Sequence, residues 1–194
     1  MTSQTTLAWY FSAADRRLRY GDGREIKAGV THEFYGNPEL CQRGLHASID
    51  PLHALGYAPG PIIWRVRMSG VIVRGDDKLV ATRRTYLWGY DATEVLRAFA
   101  RKCALDVIDK WDAPAIVREY LETSDESKRA AARAAAWAAA RDAAWEAARA
   151  AAWAAAWDAA WEAARAAAWA AAWDAAWEAQ NKRLLQMIRK GRAK

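Results

Sequence analysis

Two groups of residues in this chain have chemistry to offer. The first is Cys41, His46, His53 and His32. A thiolate and imidazoles are metal ligands, and a thiol beside an imidazole is the pattern of an activated nucleophile. The spacing argues against both: Cys41-x4-His46 is not a zinc spacing, and no second Cys/His pair follows. We therefore expect no metal site and no catalytic residue, and read His46 as a turn residue whose ring bonds the backbone. The second group is Arg65, Arg67, Arg74, Lys78, Arg83 and Arg84, interleaved with Trp64, Tyr86 and Trp88. Guanidinium forks pair with oxyanions and aromatic rings stack on bases, so this set reads as a surface for an anion or nucleotide. The competing reading is a solvated sheet face lying opposite a core face. No phosphate loop, GxSxG or HExxH motif is present, and no cofactor is expected.

Those side chains need a sheet to hold them. Ile62–Met68 alternates as IIWRVRM, which puts Ile62, Trp64, Val66 and Met68 on one face and Arg65 and Arg67 on the other. Gly70–Arg74 and Lys78–Leu87 continue the sheet around the Gly75-Asp76-Asp77 turn. Upstream, Thr5–Ser12 and Arg17–Tyr20 predict strands about a turn at Ala13–Arg16, and Glu25–Glu33 predicts an extended segment. Asp50–Tyr57 predicts a short helix with Asp50 as its cap and Pro51 at its first position. Thr93–Lys110 and Pro114–Leu121 predict two more helices, the first with Val95, Leu96, Phe99, Cys103, Val107 and Ile108 at core spacing.

Beyond residue 124 the pattern changes. Arg129–Ala179 places a bulky residue at every fourth position with small residues mostly between, and WEAARAAAWAAAWDAA at Trp145–Ala160 recurs residue for residue at Trp161–Ala176. Alanine is the best helix former, no glycine lies between Tyr90 and Lys190, and Gly191 is placed to stop the helix. The expectation is one rod on the order of 100 Å long. A step of four advances the bulky stripe by roughly 40° each time, so it winds around the helix instead of forming a heptad seam. That suits a helix packed on several sides. We expect self-association through Trp137, Trp145, Trp153, Trp157, Trp161, Trp169, Trp173 and Trp177. The longest uncharged runs, Ala150–Trp157 and Ala166–Trp173, are far short of the roughly 20 residues that a membrane span needs.

The net charge of +6 favours anionic partners without naming them. Two cysteines make no disulfide framework, and the opening MTSQTTLAWYFS has no basic region followed by an apolar core. A reducing cytoplasm is the expected compartment, that of the host if the gene is carried by a phage.

Over roughly residues 20–122 the chain resembles a domain family of unknown function associated with bacteriophage and prophage proteins. The motifs are Cys41, the Gly44–Ala47 turn, the Asp50–Leu55 helix, the Ile62–Gly70 strand and the Asp77–Ala81 strand. Ala/Trp-rich C-terminal repeats resemble the same company. The resemblance implies a phage origin and carries no activity. Gly44–Tyr57 also resembles a run that follows the nicotinamide-nucleotide pocket in ADP-ribosyltransferase-type folds. That likeness implies NAD chemistry depending on His46 or Tyr57, with no catalytic glutamate assigned.

Together these readings give an α+β chain: a small mixed α/β domain over residues 1–123, then a long self-associating Ala/Trp-repeat helix over 124–190. The expected ligand-binding set is His46, Ser48, Tyr57, Arg65, Arg67, Lys78, Arg83, Arg84 and Tyr86. The expected function is non-enzymatic binding by an oligomer, in its most concrete form counter-defence that sequesters an anionic nucleotide signal or a host protein. The alternatives are an ADP-ribosyltransferase-like enzyme and a structural virion or scaffold component.

Overall fold

The computed structural model of the protein describes residues 5–106, 108–110, 112–139 and 159–193, with side chains in the last segment described from residue 176 onward. Strand β1 (Thr6–Ser12) opens the chain, followed by the short strands β2 (Thr31–Glu33) and β3 (Leu45–Ala47). Helix α1 (Pro51–Gly56) leads into the two long strands, β4 (Ile62–Arg74) and β5 (Leu79–Asp91). All pairings are antiparallel: β4 lies between β1 and β5, and β2 and β3 both pair with β5 on its other side. Just past β3, Ser48 exchanges two backbone hydrogen bonds with Trp9, at 2.7 and 3.0 Å. The ladder thus runs from β1 through β4 and β5 to β3 and back to β1, forming a ring of strands.

Side-chain alternation decides what fills the ring. Ala8 and Tyr10, Trp64, Val66 and Met68, and Leu79 and Ala81 turn inward, joined by Leu18, Ile26, Leu45 and Tyr86. On β4 the alternation holds as the sequence predicts: Trp64, Val66 and Met68 are buried while Arg65 is half-buried and Arg67 exposed. On β5 it does not. Arg65 pairs with Trp88 but Val66 pairs with Tyr86, so Leu87 is a bulge residue. A bulge shifts parity by one, and it turns Tyr86 and Arg84 into the core. Gly89 lies under the Trp64 indole, where an added Cβ would come within 2.3 Å of the ring and 2.7 Å of the Ile63 carbonyl oxygen. Glycine is needed there for close approach, with no left-handed backbone involved.

Two compact units divide the chain: Met1–Leu96 together with Gln180–Lys194, and Arg97–Ala179. Helix α2 (Thr93–Leu105) crosses the boundary. The second unit continues with a 3-10 turn at Ile108–Lys110, helix α3 (Ala115–Thr123), a second 3-10 turn at Glu126–Lys128 and helix α4 (residues 129–139). Ile108, Val117 and Ala132 form its small buried cluster. Asp125 caps the second turn, its carboxylate accepting the Ser127 N–H at 3.0 Å.

The structure corrects the expected fold class. The N-terminal part is a five-stranded antiparallel sheet with several short helices. The C-terminal region is not one long repeat helix. Described helix stops at residue 139, and the C-terminal helix α5 (Ala159–Arg192) has its last turns in the sheet unit. The reason is a change of side chains. After the repeat come Leu184, Leu185, Met187 and Ile188, and Leu184 and Ile188 are fully buried. Burying two such side chains stabilises the docked state by about 3–6 kcal/mol. Polar contacts fix the seat: Asn181 donates to the Asp50 carboxylate at 3.0 Å and accepts the Leu52 N–H at 3.2 Å. Asp50 is therefore used by α5, and it makes no side-chain cap bond to α1. The Tyr90 hydroxyl donates to the Ile188 carbonyl at 2.9 Å. Gly191 does not stop the helix. It lies inside the last turn, where an added Cβ would meet Val95 at 2.7 Å and the Tyr90 hydroxyl at 3.0 Å.

Gly89→Ala tests the Trp64 packing. The added methyl has to displace a fully buried indole, so we expect a loss of about 2–3 kcal/mol in urea unfolding. A midpoint unchanged from wild type would show that the Trp64 ring has room to move.

Candidate functional site

The structure scatters the residues grouped by sequence. Arg84 and Tyr86 are in the core, 2% and 0% exposed. Arg84 donates from Nε to the Tyr86 hydroxyl at 2.9 Å and from a terminal nitrogen to the His46 carbonyl, and its guanidinium lies 3.7 Å from the centre of the Tyr10 ring. Arg83 pairs with Glu33 at 3.0 Å, and Arg67 is exposed on β4. Ser48 is buried at the ring closure. Lys78 and Tyr57 meet at the end of the β4–β5 hairpin, the ammonium donating to the Tyr57 hydroxyl at 3.0 Å while that hydroxyl donates to Asp77. Those bonds, Tyr57 first and Cys41 next, raise the Lys78 pKa. The Tyr57 bond likewise lowers that of Asp77. These bonds tie the residue after α1 to the β4–β5 turn, which the Gly75 N–H closes on the Lys78 carbonyl at 2.8 Å.

His32 is buried and His46 half-buried, and burial lowers the pKa of both. His32 Nε2 faces the Glu25 carbonyl at 3.0 Å, which only accepts, so the proton sits there and Nδ1 accepts from Tyr86 at 3.2 Å. Burial, then the cations Arg24 and Arg84, lower its pKa. His46 accepts the Cys41 N–H at Nε2, at 3.1 Å, so its ring bonds the backbone. Burial lowers its pKa, opposed by a hydrogen bond with the Gly44 backbone and aided by Arg84 and Lys78. His53 lies 3.8 Å from the Asp50 carboxylate. Among the described residues no three His, Cys, Asp or Glu side chains are placed to hold a metal ion.

The other face of the sheet carries a cluster that sequence reasoning found only in part. Trp9, Arg65, Trp88 and Tyr90 are neighbours there by register. The Arg65 guanidinium lies 4.5 Å from the centre of the Trp9 ring, Trp9 meets Trp88 edge-on at 5.7 Å, and the Arg192 guanidinium lies 4.4 Å from Trp88. Tyr90 stacks on Trp88 at 6.4 Å. Burial, then the positive charge of Arg189, lower the Arg65 pKa. Three guanidiniums therefore converge, and among the described residues none has a carboxylate partner. Arg65 was legible in the sequence. Arg189 and Arg192 were not, because nothing in the sequence shows that the end of α5 returns to the sheet.

Residues 15–98 match a domain of unknown function, DUF7666. The DUF7666 stretch covers β2 to the start of α2, and so holds Arg65, Trp88 and the buried Arg84 with its partners Tyr86, His46 and His32, though not Tyr10. Trp9, Arg189 and Arg192 lie outside it. No curated protein and no solved structure matches the chain.

Of the tryptophans expected to drive self-association, Trp137 is 63% exposed on α4 and borders an open surface hollow with Glu126, Arg129 and Arg133. Trp177 is half-buried. Trp161, Trp169 and Trp173 lie on α5 with only their backbone described. Trp145, Trp153 and Trp157 lie outside the described residues. No helix among the described residues is long and apolar enough to cross a membrane.

The histidines set a pH dependence. The folded pKa values of His32 and His46 lie below the ordinary imidazole value, so at these two sites the unfolded chain takes up protons first as pH falls. Stability is full above about pH 6.5 and declines below it toward the folded values. Urea midpoints measured from pH 8 to pH 5 should fall below pH 6.5, and His46→Gln should flatten part of that slope. A midpoint that rises on acidification contradicts neutral histidines.

Proposed function

We propose that this protein is a non-enzymatic binding protein for an anionic, phosphate-bearing ligand, and that the ligand sits on Arg65, Arg189 and Arg192. The observation that carries the reading is the convergence of three guanidiniums without a carboxylate among the described residues. Like charges brought together at a surface favour an anion that neutralises them, and the Arg fork is the side chain suited to oxyanions. Trp9, Trp88 and Tyr90 hold two of the forks in place through ring contacts, so less rotamer freedom is lost when an anion binds. Trp88 has Tyr90 stacked on it and Arg192 over it, so it positions cations instead of offering a free face to a base.

In the phage setting that the sequence resemblance implies, the role is counter-defence in the host cytoplasm, with an anionic nucleotide signal sequestered. Association with further copies, if part of that role, is assigned to the exposed Trp137 face of α4.

Isothermal titration with inorganic phosphate, pyrophosphate and ADP tests the reading. At least one should bind, more weakly as salt rises. Arg192→Gln should weaken it about tenfold or more, the scale of one charge-assisted hydrogen bond. Absence of heat and of any thermal shift with all three would sink the proposal.

A further inference from the structure

Two of the three guanidiniums of the candidate site are supplied by the last turns of α5, and the third comes from β4. The site is therefore complete only while residues 180–192 are docked on the sheet. We propose that a compact polyphosphate, the linked-phosphate group of a nucleoside diphosphate or triphosphate, is the counter-ion that locks this C-terminal segment onto the sheet, so that ligand binding and docking are one equilibrium. This rests on the anion-binding reading above and adds to it a ligand class and a regulated element.

The docked state brings forces of opposite sign together. Favouring it are the buried Leu184 and Ile188, the Asn181 bonds to Asp50 and Leu52, and the Tyr90 bond to the Ile188 carbonyl. Opposing it is the approach of Arg189 to Arg65, two cations close enough for one to lower the pKa of the other. Arg192 adds a third. It follows Arg189 by three residues, so the two side chains share a face of the helix. Arg65 and Arg192 in turn lie over rings whose centres are 5.7 Å apart. The negative end of the helix dipole favours Arg189 and Arg192 but does nothing for Arg65 on the strand.

The arrangement also selects the ligand. Three forks offer more donors and charge than one orthophosphate can use. Two linked phosphates supply oxygens and charge to all three within one small volume. A nucleic-acid strand strings its phosphates along a track, and proteins that hold it use a groove of cations following the backbone. Here the cations converge on one place.

Because the ligand stabilises only the docked segment, its effect has a defined size. When opening of residues 180–192 abolishes the site, exchange of the amides at 184–190 slows by the factor 1 + [L]/Kd, about a hundredfold at a ligand concentration of 100 Kd. The experiment is hydrogen exchange on the full chain with pyrophosphate, orthophosphate, ADP and a single-stranded oligonucleotide, each beside a calorimetric titration. Pyrophosphate and ADP should bind and slow exchange at 184–190 in proportion to concentration. Arg189→Gln and Arg192→Gln, both at exposed positions, should lose both effects, while Arg19→Gln, a surface change away from the site, should keep them. Pyrophosphate heat without slowed exchange overturns the coupling and leaves the anion reading standing. Equal effects from orthophosphate, or binding of the oligonucleotide alone, overturn the ligand class. No binding by any of the four removes both proposals.

Discussion

A guanidinium buried inside the strand ring is the constraint on which the rest depends. Arg84 is 2% exposed, and among the described residues no carboxylate meets it. An isolated buried charge costs several kcal/mol, so every neighbour has to be an acceptor or a ring. Each acceptor comes from a different strand. Tyr86 is on β5 itself, the His46 carbonyl is on β3, and Tyr10 on β1 supplies the ring face. Tyr86 then donates to His32 on β2, whose other nitrogen reaches the Glu25 carbonyl. Four of the five strands are tied to one cation, and β4 supplies the apolar wall through Trp64, Val66 and Met68. Hydrogen bonds to a charged group contribute about 1.5–3 kcal/mol each, and cation–π contacts about 0.5–2. That is enough to offset burial, provided none is lost.

This explains which parts of the molecule could be read from its sequence. Ile62–Met68 was legible because its alternation is regular and one face is wholly apolar. The hairpin turn after it and helices α1 to α3 were legible from their breakers and periodicity. Arg83 and Arg84 were not, because adjacent like residues hide parity and the bulge at Leu87 reverses it. A single unpaired residue leaves no mark in composition. The tail misled for a different reason. Its helical character was plain, but the seat of this segment depends on partners 98 to 131 residues away in sequence, such as Asp50, Leu52 and Tyr90. Local periodicity reports that a face is apolar and does not say what covers it. The same distance concealed the candidate site, whose three arginines come from two distant segments.

The two faces of the sheet treat positive charge in opposite ways. Inside, one guanidinium is matched by neutral acceptors and rings and shut away from solvent. Outside, Arg65 and Arg192 lie over Trp9 and Trp88 with Arg189 near by, and among the described residues no carboxylate meets them. Sequence-level charge of +6 says nothing of this difference. Only the inner arrangement is satisfied by the protein itself, which makes it structural. The outer one has donors to spare, and those are the donors that the proposed anionic ligand would use.

The return of residues 180–194 to the sheet has a topological consequence. Strand β1 and the end of α5 belong to one unit, so everything from Arg97 to Ala179, the repeat included, is an insertion into it. Both ends of the insertion are joined to that unit. Adding one 16-residue block to an insertion of roughly eighty residues changes the entropy of closing the chain by only about 0.2 kcal/mol, even for a wholly unstructured chain. Copy number of the block is thus nearly invisible to the stability of the sheet. Selection on the ring of strands cannot hold that number fixed, and two blocks still identical at every position are what a segment free to lengthen and shorten by whole units looks like.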